Sequence, residues 1–522
     1  MKFDAISTGA RLVSSGAEIA MTGIRYLSAG VVCAALLSPC AQPQPGPQQP
    51  IKLDAGNPHY FSFRGKTIAL ITSGEHYGAV LNEDFDYKRY LDAIQSVGLN
   101  MTRLFPGSYV EVPAKSFGIR RNDLAPAEGK FIAPWTRSNT AGYAGGGNKF
   151  NLEQWNAECF ARLHDFLSEA SKHGIVVEVS LFSSQYGEMQ WKLSPFNAAN
   201  NVNHTGNDSG AIEWKKVNTL ENGNILSYQE RYVRKLVREV NGFDNVFFEL
   251  QNEPFADRPV LAGVVNPYLF PPARNQFPNT IETADDLSLA WQARVADWIA
   301  SEEGQLKNKH LIAQNYCDFG LPVNQVIAGV SIVNFHYAYP QAASANYGLG
   351  KLLGYDETGF LGQDDAAYRR EAWNFMLSGG GEFDGLDYSF SVRHEDGSDT
   401  APNGPGGGSP GFRRQLGILS KFLQGLPLAE MTPDYSAVKH AGATYARVLS
   451  KPGKVYAIYL DGSGPADLVL NLPPGNYSAE WINTESGDVA KPEKFEHKGG
   501  EKVLPSPSFK DGVALKLVRG AP

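Results

Sequence analysis

Cysteine is scarce in this 522-residue sequence, and long runs of basic residues are missing. Of the four cysteines, Cys33 and Cys40 lie near the N-terminus, which leaves Cys159 and Cys317 for the rest of the chain. Neither belongs to a Cys-x-x-Cys or Cys/His array, so a disulfide framework and a zinc module are excluded. Both are interpreted as small core residues. A net charge of −8 without a Lys/Arg stripe argues against a nucleic-acid partner.

Motifs for metals and nucleotides are also missing. The ten histidines are scattered, and no His-x-His or His-Glu-x-x-His occurs, which disfavours a metal-dependent hydrolase. The glycine runs 145–147 and 406–408 lack the strand, helix and Lys–Ser/Thr pair that a phosphate-binding loop needs. We therefore expect no metal and no cofactor.

The first 41 residues are predicted to be a signal peptide. Arg25 precedes an apolar stretch, 26–37, that is too short to span a bilayer and suits the hydrophobic region of such a peptide. The following Ser38–Pro39–Cys40 resembles a bacterial lipoprotein cleavage box in which Cys40 carries lipid, although its proline departs from that pattern. The sequence thus predicts an exported protein that is periplasmic, secreted, or anchored in the outer membrane as a cell-surface lipoprotein.

Two folded modules are predicted after a tether. Residues 42–57 are rich in Pro and Gln and are predicted to be extended. Residues 58–425 alternate strand and helix patterns about eight times, which favours an α/β fold of the (β/α)8 TIM-barrel type. Residues 430–522 change to short alternating segments separated by Gly, Pro and Asn, which predicts a small antiparallel β-sandwich. Barrel support is the preferred role for this module, with glycan contact as the alternative.

Apolar periodicity places the elements of the predicted barrel. The expected strands are Thr67–Thr72, Asn100–Phe105, Ile175–Phe182, Asn245–Leu250, Leu311–Asn315, Ser331–His336, a strand ending at Glu357, and one near Phe383–Phe390. The expected helices are Asp86–Val97, one capped by Asn151 and ended by Gly174, Tyr228–Val240, Ala284–Ala300, a weak Ala343–Lys351, Ala366–Leu377 and Phe412–Leu423. A hairpin at Asn57–Gly65 should plug the barrel floor, and insertions 105–150, 183–226 and 255–283 should rise over the opposite face.

Two apolar runs end abruptly in polar residues that include a glutamate. The first stops at Gln251–Asn252–Glu253–Pro254, and the second ends in Asp356–Glu357–Thr358–Gly359. Because the carboxyl ends of parallel barrel strands meet at one face, the two side chains should face each other across the barrel mouth. Glycoside hydrolysis requires one protonated and one ionised carboxyl. The simpler interpretation of the first motif is an Asn–Glu cap before a helix that starts with Pro.

The first motif resembles the acid/base signature of clan A glycoside hydrolases, the group that includes the family 5 cellulases. Arg103 after strand two, His336–Tyr337 after strand six and Glu357 after strand seven fall where that clan places its other core residues. The resemblance covers the barrel and implies a retaining glycoside hydrolase acting on a carbohydrate substrate. In that scheme Glu253 is the acid/base and Glu357 is the nucleophile.

The same resemblance implies roles for the neighbouring residues. Asn252 would bond the sugar 2-hydroxyl, Arg103 would keep the nucleophile ionised, and Tyr337 would orient it. His336 would contact the substrate or the acid/base. Three further residues from loops and strand ends complete the predicted substrate-binding set: His76, Trp191 and Tyr388.

The layout also departs from the clan pattern. No Trp marks the end of strand eight, where many members keep a sugar platform, so Tyr388 or Phe390 would have to serve. The chain is similar to secreted bacterial barrels, some of which carry a C-terminal module labelled as collagen-binding. The polar segment 393–411 is interpreted as a solvated lid, with calcium binding as the alternative. A non-catalytic glycan-binding or cell-surface protein on an inactive barrel remains the alternative function.

Overall fold

The computed structural model of the protein describes residues 49–208, 210–265, 280–401 and 403–520. The predicted signal peptide and Cys40 lie outside these ranges. Within them, no helix combines the length and the apolar character that crossing a bilayer demands. The end of the predicted tether is folded, because Ile51 is fully buried and its N–H donates to the Asp244 carbonyl at 2.8 Å.

Eight parallel strands form the predicted barrel. We number them one to eight in chain order: Leu70–Gly74, Met101–Leu104, Val176–Ser180, Val246–Glu249, Ile312–Asp318, Ile332–His336, Leu352–Glu357 and Glu382–Leu386. Strands two to seven each pair with the next strand along the chain. Strand eight pairs with strand one, from Glu382↔Leu70 to Leu386↔Gly74. Strands one and two meet where the Asn100 N–H donates to the Ile71 carbonyl at 3.1 Å. The strands are apolar runs because both of their faces are buried.

Amphipathic helices surround the strands. Asp86 begins the first helix by accepting the N–H groups of Lys88 and Arg89, and the apolar side of that helix faces the barrel. The longer helices are Tyr87–Ser96, Ala157–Lys172, Ile225–Val240, Asp286–Glu303, Pro340–Asn346, Asp365–Met376 and Pro410–Gln424. The predicted helix between strands six and seven was placed too late, because Pro340 starts it and a 3-10 turn, Tyr347–Leu349, follows.

The second helix begins later than predicted. Asn151 does not cap it, because Asn148–Trp155 is a strand that pairs antiparallel with Trp135–Ala141. The cap is Asn156, whose side chain accepts the N–H two residues later at 3.1 Å. The apolar residues near Asn151 fit a two-residue period as well as a helical one, and the partner strand decides between them.

The other insertions also carry elements of their own. The second insertion contains the short helix Glu188–Trp191 and the 3-10 turn Trp214–Lys216. The third begins with the short helix Pro254–Asp257 and contains the antiparallel strands Pro259–Val264 and Thr280–Ala284, of which the latter meets strand five at Cys317.

A three-stranded antiparallel sheet covers the barrel floor, and its hairpin runs from Phe61 to Ile68 rather than over the predicted Asn57–Gly65. Its strands are Lys52–Leu53, Phe61–Phe63 and Lys66–Ile68. Thr67 therefore belongs to this sheet, and barrel strand one starts three residues later than predicted. Phe61 is fully buried against the first residues of seven barrel strands, a set that comprises Leu70, Met101, Val176, Phe247, Ala313, Ile332 and Leu352.

The C-terminal residues form the predicted antiparallel β module. A six-stranded and a three-stranded sheet enclose a separate apolar core. Its strands are Thr432–Pro433, Val438–His440, Tyr445–Lys451, Val455–Asp461, Asp467–Leu472, Gly475–Asn483, Glu493–His497, Gly500–Pro505 and Val513–Arg519. The module packs on the barrel through helix 365–376, where Trp373 stacks on Tyr459 at 5.6 Å and Arg370 donates to Asp461 at 2.7 Å.

The barrel floor gives the first test. Phe61→Ala should lower the free energy of unfolding by about 3–5 kcal/mol, because it leaves a cavity among the strand ends. Urea unfolding followed by tryptophan fluorescence measures the change. Val489→Ala, at an exposed site in the C-terminal module, is the control and should have little effect. Equal stability of the two variants would contradict the floor's structural role.

Candidate active site

The barrel brings the predicted polar side chains together at the carboxyl ends of its strands. Arg103 lies on strand two, and Asn252 and Glu253 follow strand four. His336 ends strand six, and Glu357 ends strand seven. Tyr337 follows His336 directly. Each of these side chains is buried or nearly so.

The two predicted catalytic carboxyls share one pocket with a histidine. One oxygen of Glu253, one oxygen of Glu357 and a ring nitrogen of His336 all lie within 4.8 Å of one another. His336 Nδ1 lies 2.9 Å from Glu253 Oε1 and 3.7 Å from Glu357 Oε1. The Tyr337 hydroxyl donates to Glu357 Oε1 at 2.8 Å. The arrangement holds both carboxyls in fixed orientations.

Backbone strain accompanies these contacts. Glu253 adopts a left-handed conformation with φ of 45°. Tyr337 and Tyr186 are also left-handed, with φ of 51° and 53°. Such conformations are costly for non-glycine residues and persist only where surrounding contacts enforce them. The Glu253 N–H donates to Asn315 Oδ1 at 3.1 Å, which fixes the turn. Glu253 does precede a helix that starts with Pro254, but its carboxylate points at His336 rather than capping that helix.

Arg103 joins the nucleophile candidate to the acid/base motif. It is fully buried and donates to Glu357 Oε2 at 3.3 Å and to Asn252 Oδ1 at 2.8 Å. It also donates to Glu249 and lies 3.4 Å from Asp356. Burial opposes its charge, but these carboxylates raise the pKa of Arg103 well above its ordinary value.

A layer of buried acids lies beneath the pocket, and sequence reasoning missed it. Burial first, and then the charges of neighbouring carboxylates, raises the pKa of Glu178 and of Glu382 well above the ordinary value, although Arg103 acts to lower both. Burial likewise raises the pKa of Asp384. The sequence signal was a carboxylate inside an apolar run, as in Val177–Glu178–Val179.

The pKa directions in the empty pocket differ from the sequence-based assignment. Burial and then the charge of Glu253 raise the pKa of Glu357, although His336 and Arg103 lower it. Burial also acts to raise the pKa of Glu253, but His336, Tyr186 and Tyr337 outweigh it and lower that pKa. Of the two carboxyls, Glu357 therefore has the higher pKa. Because the two groups interact strongly, they titrate as a pair with one proton between them.

An aromatic cavity of about 280 Å³ opens above the pair. Its wall includes His76 and Tyr388, whose rings lie 5.9 Å apart, as well as both glutamates. Several further aromatic side chains line it: Tyr77, Phe105, Tyr109, Phe117, Tyr186, Phe255, Tyr337 and Phe360. Among the described lining residues there is no Trp, so aromatic phenyl and phenol rings form the apolar wall.

Trp191 is not at this cavity, and its predicted contact with substrate is not supported. Its indole is buried and donates to the Ile212 carbonyl at 2.9 Å, so it packs the second insertion on itself. Tyr186, Glu111, Glu282 and Asp318 line the cavity but were not predicted as site residues. They lie in insertions or at a strand end where no sequence period marks which side chain faces the barrel mouth.

The segment 393–411, interpreted from the sequence as a solvated lid, has both exposed and buried positions among its described residues. Glu395 is buried and accepts the Arg393 N–H at 2.9 Å. Arg413 is buried beneath the segment and donates to the Gly397 carbonyl at 2.8 Å and to Asp387 at 2.7 Å. The segment thereby backs Tyr388 at the cavity.

Two groups of side chains have the spacing of metal ligands. One is Glu253, His336 and Glu357, and the other is Glu249, His336 and Asp356. His336 belongs to both groups, and its two ring nitrogens already face Glu253 at 2.9 Å and Asp356 at 3.4 Å. The imidazole is hydrogen-bonded to Glu253 on one side and lies at ion-pair distance from Asp356 on the other.

Comparisons with known proteins identify the fold. No protein-family model matches the chain, and no curated protein is significantly similar to it. A solved structure described as a glycoside hydrolase shares 12% identity, over 90% of this chain and 97% of that one, with a TM-score of 0.58. A family 5 glycoside hydrolase from Bacteroides vulgatus shares 11%, over 90% and 93%, with a TM-score of 0.57.

The protein is therefore a (β/α)8 barrel whose strand ends carry a pair of buried glutamates. More particularly, it has the fold of family 5 glycoside hydrolases, and the matched share of the chain exceeds what the barrel alone supplies. At this level of identity the likeness establishes fold, and the chemistry has to be argued from the pocket.

Arg103 gives the second test. Arg103→Met should lower the free energy of unfolding by about 3–5 kcal/mol at neutral pH, because it leaves buried carboxylates unpaired. Asp356 has a lowered pKa, held down against burial by Arg103 and then His336, so its stabilising contribution is present at neutral pH and fades in acid. The deficit should therefore stay nearly constant down to about pH 4 and shrink only below it, where Asp356 gains a proton.

Urea unfolding of both proteins at neutral and acidic pH measures this deficit. Arg231→Met, which removes a surface pair with Glu153, is the control and should change little. A deficit for Arg103→Met that is independent of pH would show that the guanidinium acts by packing and not by charge.

Proposed function

We propose that the protein is an exported, retaining glycoside hydrolase that cleaves O-glycosidic bonds in an oligo- or polysaccharide. Glu253 acts as the acid/base and Glu357 as the nucleophile. One observation carries the proposal, namely that oxygens of the two carboxyls approach within 4.8 Å at the base of one cavity. Retaining enzymes keep their carboxyls about 5–5.5 Å apart, whereas inverting enzymes need roughly 6.5–9.5 Å to admit water between them.

In the first step, Glu357 attacks the anomeric carbon and the bond to the leaving oxygen breaks. Glu253 donates its proton to that oxygen. Arg103 and Tyr337 hold Glu357 by one hydrogen bond to each carboxylate oxygen, which aims the nucleophile. Because Glu357 has the higher pKa of the two, substrate binding has to favour the proton on Glu253, and His336 lies between the two carboxyls.

In the second step, Glu253 takes a proton from water as the water attacks the anomeric carbon. The ester bond to Glu357 breaks, and the sugar leaves with its original configuration. The cavity wall suits this substrate class, because aromatic rings pack against the apolar C–H faces of sugars while carboxylates and hydroxyls bond their hydroxyl groups. Export rests on the predicted signal peptide, and Cys40 would supply an outer-membrane anchor.

Substitution of the two glutamates tests the proposal. Glu357→Ala should abolish turnover on every glycoside that the wild type cleaves. Glu253→Gln should lose about 10²–10⁴-fold in kcat/KM on substrates with poor leaving groups, but much less in kcat/KM on dinitrophenyl glycosides, whose first step needs no proton. Initial rates on a panel of aryl glycosides and glycans measure both effects, with the exposed Glu188→Gln as control.

A wild type that binds glycans but turns none over would instead support the non-catalytic alternative. Full activity of Glu357→Ala on any panel substrate would contradict the assignment of the nucleophile.

The pH dependence gives a further test of the shared proton. The wild-type kcat/KM should be bell-shaped, falling in acid as the pair gains a second proton and in base as it loses its last one. From the pKa directions, the acid limb lies below and the basic limb above the ordinary glutamate value of 4.5. Glu253→Gln on a dinitrophenyl glycoside should keep the acid limb and lose the basic one. Rates from about pH 4 to about pH 9 show whether it does.

A further inference from the structure

We propose that Tyr186, locked in place by Asp257, is a positioning residue that holds Glu253 in its ionised form for the second step of catalysis. This inference rests on the proposed function, because it assigns a part in the same reaction to a loop outside the barrel strands. Tyr186 lies in the second insertion, four residues beyond the apolar run of strand three, and lines the cavity.

The loop that carries Tyr186 is joined to the acid/base motif along its length. The Asn252 N–H donates to the Phe182 carbonyl at 2.9 Å, and the Ser184 N–H donates to the Asn252 carbonyl at 3.1 Å. The Ser184 hydroxyl donates to the Glu253 carbonyl at 2.6 Å. The pairing of strands three and four thus continues beyond both strands and carries Tyr186 alongside Glu253.

Asp257 closes this arrangement from the other side. It lies on the short helix Pro254–Asp257 that follows Glu253, and its carboxyl group is buried. Its oxygens accept the N–H groups of Gln185 at 2.8 Å and of Tyr186 at 2.9 Å. These two bonds hold Tyr186 in its left-handed conformation, with φ of 53°. The helix that begins at Glu253 therefore also fixes the loop that touches its carboxylate.

The direction of each hydrogen bond follows from Arg103, which can only donate. Its Nη2 donates to Asn252 Oδ1 at 2.8 Å, so the Asn252 amide must present its nitrogen to Tyr186. That nitrogen donates to the Tyr186 oxygen at 2.7 Å. The tyrosine proton is then left to point at Glu253 Oε2, which accepts it at 2.7 Å. The chain of donors runs one way and ends on the carboxylate.

A hydrogen bond donated to a carboxylate stabilises its charged form. In the second step Glu253 must be ionised, because it accepts a proton from water while the water oxygen bonds to the anomeric carbon and the Glu357 ester bond breaks. Glu357 then carries no charge until it leaves. His336 faces the other oxygen of Glu253, and Glu282 and Asp318 repel it from across the cavity. Tyr186 acts with His336 to keep Glu253 available as a base.

Tyr186→Phe tests this assignment with a dinitrophenyl glycoside, for which hydrolysis of the glycosyl-enzyme limits kcat. Loss of a hydrogen bond to the ionised form raises the pKa of Glu253 by about one unit. The acid limb of kcat, which requires ionised Glu253, should move up by that amount. Below this limb kcat should fall up to about tenfold, while kcat/KM changes less than about threefold.

Azide separates this effect from general damage to the site. As an anionic nucleophile, azide attacks the glycosyl-enzyme without a base and releases a glycosyl azide. Adding azide should therefore restore the kcat of Tyr186→Phe to the wild-type value on the upper part of the shifted limb, where azide is still ionised. Asp257→Asn, which keeps the side-chain shape but loses one acceptor, should shift the limb in the same direction by a smaller amount.

Tyr87→Phe is the matched control, because the Tyr87 hydroxyl also donates to a carboxylate at 2.7 Å, that of Asp165, away from the cavity. This control variant should leave the acid limb of kcat at its wild-type pH. If the acid limb of kcat stayed at its wild-type pH in both Tyr186→Phe and Asp257→Asn, the inference would be overturned. A loss of kcat that azide does not restore would also overturn it. If those results came with an impaired Glu253→Gln, the proposed function would stand while the part given to Tyr186 would fall.

Discussion

The pocket depends on one buried guanidinium group, that of Arg103. Arg103 has no exposed surface, and its charge is stabilised only because Glu249, Asp356 and Glu357 surround it. Burying such a charge costs several kcal/mol unless its partners are in place, so the geometry around it is fixed by necessity. Glu178 lies 3.6 Å from the same guanidinium, yet burial raises the pKa of its carboxyl well above the ordinary value.

The residues around Arg103 give the two glutamates at the strand ends different hydrogen-bond partners. Arg103 and Tyr337 each hold one oxygen of Glu357, while His336 and Tyr186 each hold one oxygen of Glu253. Two carboxyls of the same type thereby occupy different environments a few ångströms apart. Asymmetry of this kind lets one proton be shared between them, as acid/base chemistry on an acetal requires.

The sequence predicted the barrel and the glutamate pair because both depend on local patterns. An apolar run that stops at a polar motif locates a strand end, and parallel strand ends converge whatever the loops do. The C-terminal strands were recognised by short segments of alternating apolar and polar residues. Glu253 and Glu357 could therefore be placed together, even though about a hundred residues separate them.

The errors fall where contacts between distant segments decide the outcome. Asn151 belongs to a strand because Trp135–Ala141 pairs with it, and no local pattern announces that partner. Trp191 packs inside the second insertion, because its indole N–H donates to the Ile212 carbonyl. Tyr186 was missed because its orientation depends on Asp257, which lies on a different element. Insertions have no period that marks which side chain faces the site.

The most direct test of the two-glutamate account is covalent labelling with activated 2-deoxy-2-fluoro glycosides of several sugars. Such compounds form the glycosyl-enzyme quickly and release it slowly, so the adduct can be located by peptide mass spectrometry. The account predicts time-dependent inactivation by at least one sugar, with a single label on Glu357. An active enzyme that is labelled on a different residue, or that releases product of inverted configuration, would contradict it.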